Sequence, residues 1–154
     1  MIAAQAEVQI DRPVEEVFDF LADARNEPRW LPGATGVVKI SDGPIGLDTR
    51  FQGEYARIGT VRLDVIAFER PRQVTFRGQA RTMAFDDAIA LWPGPGGTIL
   101  RAAMEAHPRG IMKVLSPLVG RVMRQQFAAN WLQLKATLEQ QEPTTARDHA
   151  EEAR

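Results

Sequence analysis

A long amphipathic segment near the C-terminal end limits the folds open to this sequence more than any other feature. Ser116 and Pro117 have the chemistry of a helix start, so residues 117–140 are expected to form one helix, with 111–115 as a separate turn before it. At ~1.5 Å per residue this helix is roughly 36 Å long, enough to cross a small domain. Its apolar residues recur in steps of three and four, at Leu115, Leu118, Val119, Val122, Met123, Phe127, Trp131, Leu134 and Leu138.

The segment before this helix reads as a series of short strands. Residues 5–11 alternate apolar with polar side chains, which predicts a strand with one dry face. Pro13 and the helical spacing after it predict a short helix ending near Asp23, and residues 26–33 form a second brief helical turn or tight loop. Glycine and proline turns then separate six further strands, placed near 35–41, 48–56, 59–69, 72–81, 83–92 and 97–107.

These elements predict an α+β fold, in which a seven-stranded antiparallel sheet wraps around the long helix. Along the strands, apolar positions such as Val61, Leu63 and Val65 alternate with polar ones, so the sheet has one face to bury. The stripe of the long helix matches that face. The inward positions also include very small residues, which either leave an unfilled cavity or allow tight packing: Gly53, Gly78, Ala80, Ala102 and Ala106.

Composition excludes several classes of function. The 154 residues fit one domain, expected over 1–141, with 142–154 as a flexible tail. Lys+Arg is 19 and Asp+Glu is 20, so there is no basic excess for a nucleic-acid partner.

No cysteine is present, which excludes disulfides and thiolate metal sites. Without a signal-peptide pattern or a membrane-length apolar run, we expect a cytoplasmic protein with no stable membrane insertion. The oligomeric state stays open, and a homodimer is compatible with the sequence.

Several short motifs, in this order and spacing, resemble the START-like (SRPBCC) superfamily, in its polyketide cyclase/dehydrase and lipid-transport branch. The resemblance covers roughly residues 4–140 and implies a helix-grip fold with two short helices between strands 1 and 2. The residues that carry it are Ile10–Phe18, Pro28–Pro32, Gly46, Glu69–Arg72, Gly96–Thr98, Arg109–Gly110 and Leu132–Glu139. These motifs are structural and specify no chemistry, because one fold hosts many functions.

The resemblance implies a protein that binds one hydrophobic or amphipathic small molecule, lipid-like, polyketide-like or aromatic, between sheet and helix, without cofactor or metal. In the family, the short helices that carry Phe18 and Trp30 help close the pocket. Strand parity and the helix stripe supply the other candidate contacts, so the expected ligand-binding set is Trp30, Phe51, Tyr55, Leu63, Phe76, Phe85, Met104, Leu118, Val122, Met123 and Phe127. A third reading is an interaction module with a filled core.

The rival interpretation is an enzyme of the cyclase, aromatase or dehydratase type that uses the same cavity. Its candidate acid–base and polar groups are Tyr55, Asp86, His107 and Asn130. Asp86 and Asp87 are adjacent on a strand and must point to opposite faces, so one of them can face inward as a buried carboxyl group. Tyr55 is the only tyrosine, and its hydroxyl needs a partner, which is a ligand, the backbone or a neighbour such as Asn130. His107 ends the last strand.

Overall fold

The computed structural model of the protein describes residues 1–141, so the expected tail over 142–154 lies outside the described residues. Three helices and a 3₁₀ helix accompany seven strands. The strands are β1 (Ile2–Ile10), β2 (Ala34–Lys39), β3 (Arg50–Tyr55), β4 (Gly59–Glu69), β5 (Gln73–Gln79), β6 (Met83–Gly94) and β7 (Gly97–Pro108). The helices are α1 (Val14–Ala22), the 3₁₀ helix (Ala24–Arg29), α2 (Ile111–Val114) and α3 (Ser116–Gln140).

The strands form one antiparallel sheet in the order β1-β7-β6-β5-β4-β3-β2. This confirms the predicted seven-stranded sheet with a long C-terminal helix and two short helices after β1. Several strand boundaries differ from the expected ones by up to three residues. β1 begins at Ile2 because its pairing with β7 extends to Ala106. β6 and β7 pair as far as Gly94 and Gly97, so the glycine-rich segment between them is a tight hairpin turn.

The large buried side chains of helix α3 lie from Phe127 onward. Phe127, Trp131, Leu134 and Leu138 belong to the main core, whereas Leu118 and Val122 in the first half are exposed. The stripe predicted from the sequence is therefore continuous, but the sheet closes only over its C-terminal part. The first half remains beside an opening.

Helix α3 is tied to the edge of the sheet in both of its halves. Arg124 donates through Nε to the Ala3 carbonyl at 3.0 Å, and Lys135 donates through Nζ to the Gln9 carbonyl at 2.7 Å. Both carbonyls belong to β1, which is an edge strand. These contacts satisfy backbone acceptors that an edge strand otherwise exposes, and they fix the helix along one side of the sheet.

Two of the small inward residues allow close packing rather than empty space. A Cβ atom on Gly78 would lie 2.2 Å from the ring of Phe85, and one on Gly53 would lie 2.7 Å from Cγ2 of Val37. At these positions the absence of a side chain is what lets a neighbour cover the sheet. Any cavity must therefore arise elsewhere on the inner face.

Candidate functional site

A cavity of about 460 Å³ lies between the inner face of the sheet, the 3₁₀ helix and the first half of α3. This volume falls in the range of ligand pockets in proteins. Its walls are mainly apolar and include four methionines, whose flexible side chains adapt to ligands of different shapes. These are Met83, Met104, Met112 and Met123. The cavity opens where Leu118 and Val122 are exposed, which is the half of α3 that the sheet does not cover.

Ten of the eleven residues expected to contact a ligand line this cavity. They are Trp30, Tyr55, Leu63, Phe76, Phe85, Met104, Leu118, Val122, Met123 and Phe127. Phe51 does not line the cavity. It faces inward as strand parity predicts, but it is fully buried in the core, with its ring 6.5 Å from that of Phe76. Phe51 therefore supports a wall residue from within the core.

Tyr55 and Glu27 form the main polar contact inside the cavity. The Tyr55 hydroxyl donates a hydrogen bond to Glu27 Oε2, so its partner is neither the backbone nor Asn130. Glu27 lies in the 3₁₀ helix, which begins where Asp23 accepts a hydrogen bond from the backbone N–H of Arg25 at 3.1 Å. This helix turns Glu27 toward the end of β3, where Tyr55 is located.

Burial changes the acidity of both groups. It raises the pKa of Glu27 to about 7, against the hydrogen bond from Tyr55, which lowers it, and with a smaller contribution from the negative charge of Asp87. The pKa of Tyr55 lies well above its usual range, first because of burial and then because of the Glu27 charge and hydrogen bond. Tyr55 therefore stays protonated at any physiological pH and acts as a hydrogen-bond donor.

The second buried carboxyl group is Asp87, on β6. Its Oδ1 atom is buried and has no hydrogen-bond partner within residues 1–141. Burial raises the pKa of Asp87 to about 7. The cavity thus contains two carboxyl groups, Glu27 and Asp87, that can exchange protons near neutral pH.

Asp86, the expected acid–base candidate, lies on the opposite face of the sheet. It forms two hydrogen bonds with Arg77, at 2.8 and 2.9 Å, and these hold its pKa below the usual range. The adjacent-carboxylate argument was right that one of the pair faces inward, but the inward residue is Asp87. Alternate residues of a strand point to the same face, so Asp87 faces the cavity together with Phe85 and Ile89, which also line it.

Of the other two polar candidates, Asn130 and His107, one lies in the cavity and one lies outside it. Asn130 lines the cavity, where its Oδ1 accepts a hydrogen bond of 2.9 Å from Gln126 Nε2. His107 is exposed at the end of β7 and does not line the cavity. Trp131, whose ring centroid lies 5.3 Å from that of Trp30, adds a buried indole Nε1 that has no partner among the described residues.

Glu27 is the polar residue that sequence reasoning missed. It belongs to a short irregular helix, where neither a period of two nor a period of 3.6 assigns a face, so no pattern pointed to it. Arg57 lines the mouth of the cavity, in the β3–β4 turn, and adopts φ of 75°. Within residues 1–141 no cluster of three or more His, Asp or Glu side chains could hold a metal ion. Over the same residues, no helix is long and apolar enough to cross a membrane.

A sheet that curls around a C-terminal helix, with an apolar cavity between them, defines a helix-grip protein with a ligand-sized site. The chain belongs to the family described as polyketide cyclase / dehydrase and lipid transport, which matches residues 1–139. The expected resemblance is therefore confirmed. The family and the fold together suggest that the protein binds a hydrophobic ligand.

Solved structures of several other proteins have the same fold. Protein jhp0584 of Helicobacter pylori superposes with a TM-score of 0.73 at 16% identity, over 88% of this chain and 87% of that one. Protein BH1534 of Bacillus halodurans gives a TM-score of 0.70 at 17% identity, over 90% and 98% of the two chains. TTHA0849 of Thermus thermophilus gives 0.70 at 14% identity, over 88% and 96%. No curated protein matches the sequence.

Proposed function

We propose that the protein binds one hydrophobic or amphipathic small molecule, lipid-like, polyketide-like or aromatic, in the cavity between the sheet and α3. The observation that carries this proposal is the apolar cavity of about 460 Å³, whose mouth is bordered by exposed apolar side chains of α3. An uncovered apolar surface of this kind inside a fold gives a ligand somewhere to bury its own apolar surface.

Apolar burial supplies the main driving force. At ~25 cal/mol per Å², a ligand that buries roughly 300 Å² of apolar surface is stabilised by about 7 kcal/mol before the costs of association. Wall residues such as Phe76, Met104 and Phe127 provide that surface. The polar groups Tyr55, Glu27 and Asp87 orient the ligand and select among ligands of similar size.

Native mass spectrometry tests the proposal on the protein purified without denaturant. We expect an added mass that disappears when the protein is denatured. Val122→Trp, which fills the cavity mouth, should abolish the added mass. Leu132→Trp is the matched control, because Leu132 is an exposed apolar residue of the same helix that does not line the cavity. An added mass that survives Val122→Trp, or no added mass and no binding across lipids, polyketides and aromatic compounds, would contradict the proposal.

A second candidate function is an enzyme of the cyclase, aromatase or dehydratase type. The observation that favours it is the pair of buried carboxyl groups beside Tyr55: each has a pKa of about 7, which suits proton transfer at neutral pH. Tyr55 and Asp87 would act on a bound polyketide-like substrate, with Asn130 as a polar contact. Tyr55→Phe or Asp87→Asn should then remove turnover while ligand binding persists. Loss of binding and turnover in parallel would argue against catalysis.

Three expectations about location and partners stay predictions. The cytoplasmic location is open to measurement by cell fractionation, and homodimer formation by size and mass in solution. The absence of a nucleic-acid partner rests on the charge balance of 19 basic and 20 acidic residues.

A further inference from the structure

The cavity has an uneven distribution of charge. Its charged lining residues are Glu27, Asp87 and Arg57. Arg57 is exposed in the β3–β4 turn at the mouth, whereas Glu27 and Asp87 are half-buried residues whose carboxyl groups lie inside the cavity. No lysine or histidine lines the cavity within residues 1–141. The interior is therefore an apolar space that holds two acids and no base of its own.

The carboxyl groups of Glu27 and Asp87 differ in their hydrogen bonds. Glu27 accepts the hydrogen bond of Tyr55, so one of its oxygens already has a donor. Asp87 Oδ1 is buried without a donor from any described residue. A buried carboxylate is costly unless it is hydrogen-bonded and paired with a positive charge. A ligand that brings N–H or O–H donors would complete this site.

We propose that the ligand of this cavity is an apolar molecule with a protonatable amine, whose ammonium N–H groups donate hydrogen bonds to Asp87 and Glu27. This inference rests on the proposed function, because it names the chemical class of the ligand that the cavity takes. It differs from a general affinity for lipids or aromatic compounds, since a fatty acid or a neutral alcohol lacks the positive charge that the two carboxyl groups need.

The aromatic lining supports the same ligand class. Trp30, Phe127 and Trp131 line the cavity, and their rings pack against one another, with centroids 5.3 Å apart for Trp30–Trp131 and 5.8 Å apart for Phe127–Trp131. Aromatic ring faces attract organic cations through their quadrupole. An alkyl- or arylalkylamine can therefore bury its apolar part against these rings and the methionines while its ammonium group meets the carboxylates.

The pH dependence has a definite sign. The groups that face the cavity and carry or change charge are Glu27, Asp87, Tyr55 and Arg57, and of these Tyr55 stays protonated. The two carboxyl groups are largely neutral below a pH of about 6 and ionised above about 8, because burial raises each pKa to about 7. An alkylamine stays positive up to a pH of about 10. Amine affinity should therefore rise from pH 6 to pH 8.

The test compares octylamine, octanol and octanoic acid, which share one apolar chain, by isothermal titration calorimetry on the full-length protein. At about pH 8 we expect octylamine to bind at least about tenfold more tightly than octanol, and octanoate more weakly than either. At about pH 5.5 the preference for octylamine should shrink severalfold, as the carboxyl groups become neutral. This comparison needs no variant, so it does not depend on a mutant that folds.

The matched variants are Asp87→Asn and Asp86→Asn. Both replace one carboxylate on β6 by an amide of the same shape, but Asp86 faces solvent and Arg77. The octylamine preference should disappear in Asp87→Asn and persist in Asp86→Asn. Equal binding of the three compounds, or strongest binding of octanoate, would overturn the amine proposal and leave the proposed binding function intact. Failure of all three to bind would count against both.

Discussion

Asp86 and Asp87 are neighbours in the chain, yet strand geometry gives them opposite environments. Asp86 faces solvent and pairs with Arg77, and this contact lowers its pKa. Asp87 faces the cavity, and burial raises its pKa to about 7. Adjacent residues of β6 therefore play different parts: Asp86 forms a surface ion pair, whereas the ionised form of Asp87 lowers the stability of the fold.

This difference predicts a pH-dependent gain in stability. Because the pKa of Asp87 is raised, the folded state binds more protons than the unfolded state between about pH 4 and pH 7. The destabilising effect of Asp87 is absent below that window and complete above it. Asp87→Asn should therefore raise the free energy of unfolding by about 1–3 kcal/mol at pH 8 and by almost nothing at pH 4.

Urea denaturation of both proteins at the two pH values measures this effect. Asp86→Asn serves as the control, and it should leave stability unchanged or lower it slightly, because an exposed ion pair contributes at most about 1 kcal/mol. An equal change for Asp87→Asn at both pH values would show that ionisation of Asp87 does not oppose folding.

Gly78 is a second residue whose role follows from a contact. A methyl group there would lie 2.2 Å from the ring of Phe85, which is a wall of the cavity. Gly78→Ala should lower the free energy of unfolding by about 1–3 kcal/mol, the usual cost of overpacking. Gly46→Ala is the control, because no atom lies within 4 Å of a Cβ built at Gly46. Equal stability of the two variants in thermal unfolding would contradict this packing account.

At the scale of one element, α3 combines two roles in one continuous stripe. Its second half closes the core: Leu134 is fully buried, and Trp131 packs against Trp30. Its first half borders the cavity, where Leu118 is 65% exposed. Leu118 and Val122 are spaced as core residues, but the sheet does not cover them, which is the arrangement expected when a ligand supplies the missing contacts.

Two leucine truncations separate these roles. Leu134→Ala should lower the free energy of unfolding by about 2–5 kcal/mol, because it leaves a void in the core. Leu118→Ala should change stability by less than about 1 kcal/mol in the ligand-free protein and weaken the binding of an apolar ligand severalfold. Chemical denaturation and a fluorescence titration of Trp30 and Trp131 measure the two quantities. A large loss of stability in Leu118→Ala would place that residue in the core.

For the whole molecule, the sequence predicted the fold better than the site. Regular periods assign faces, so the alternation around Val61 and the stripe through Trp131 predicted the sheet, the helix and ten wall residues. Periods do not say how far a sheet closes over a helix, so they could not tell that Phe51, which faces inward, lies in the core rather than in the cavity wall. A period assigns no face in an irregular segment, so the sequence did not indicate Glu27. The choice between Asp86 and Asp87 depended on the strand register, which the sequence did not determine.

The central claim is that the space between the sheet and α3 is the ligand site. The chain has five methionines: Met83, Met104, Met112 and Met123 line the cavity, and Met1 is exposed outside it. Protein labelled with ¹³C at the methionine methyl groups can be titrated with N-phenyl-1-naphthylamine, an apolar probe that is uncharged at neutral pH. We predict that the four cavity methyl signals shift with one common dissociation constant while the Met1 signal stays in place. Binding of the probe without shifts at those four methyl groups, or with shifts at Met1 alone, would contradict the claim.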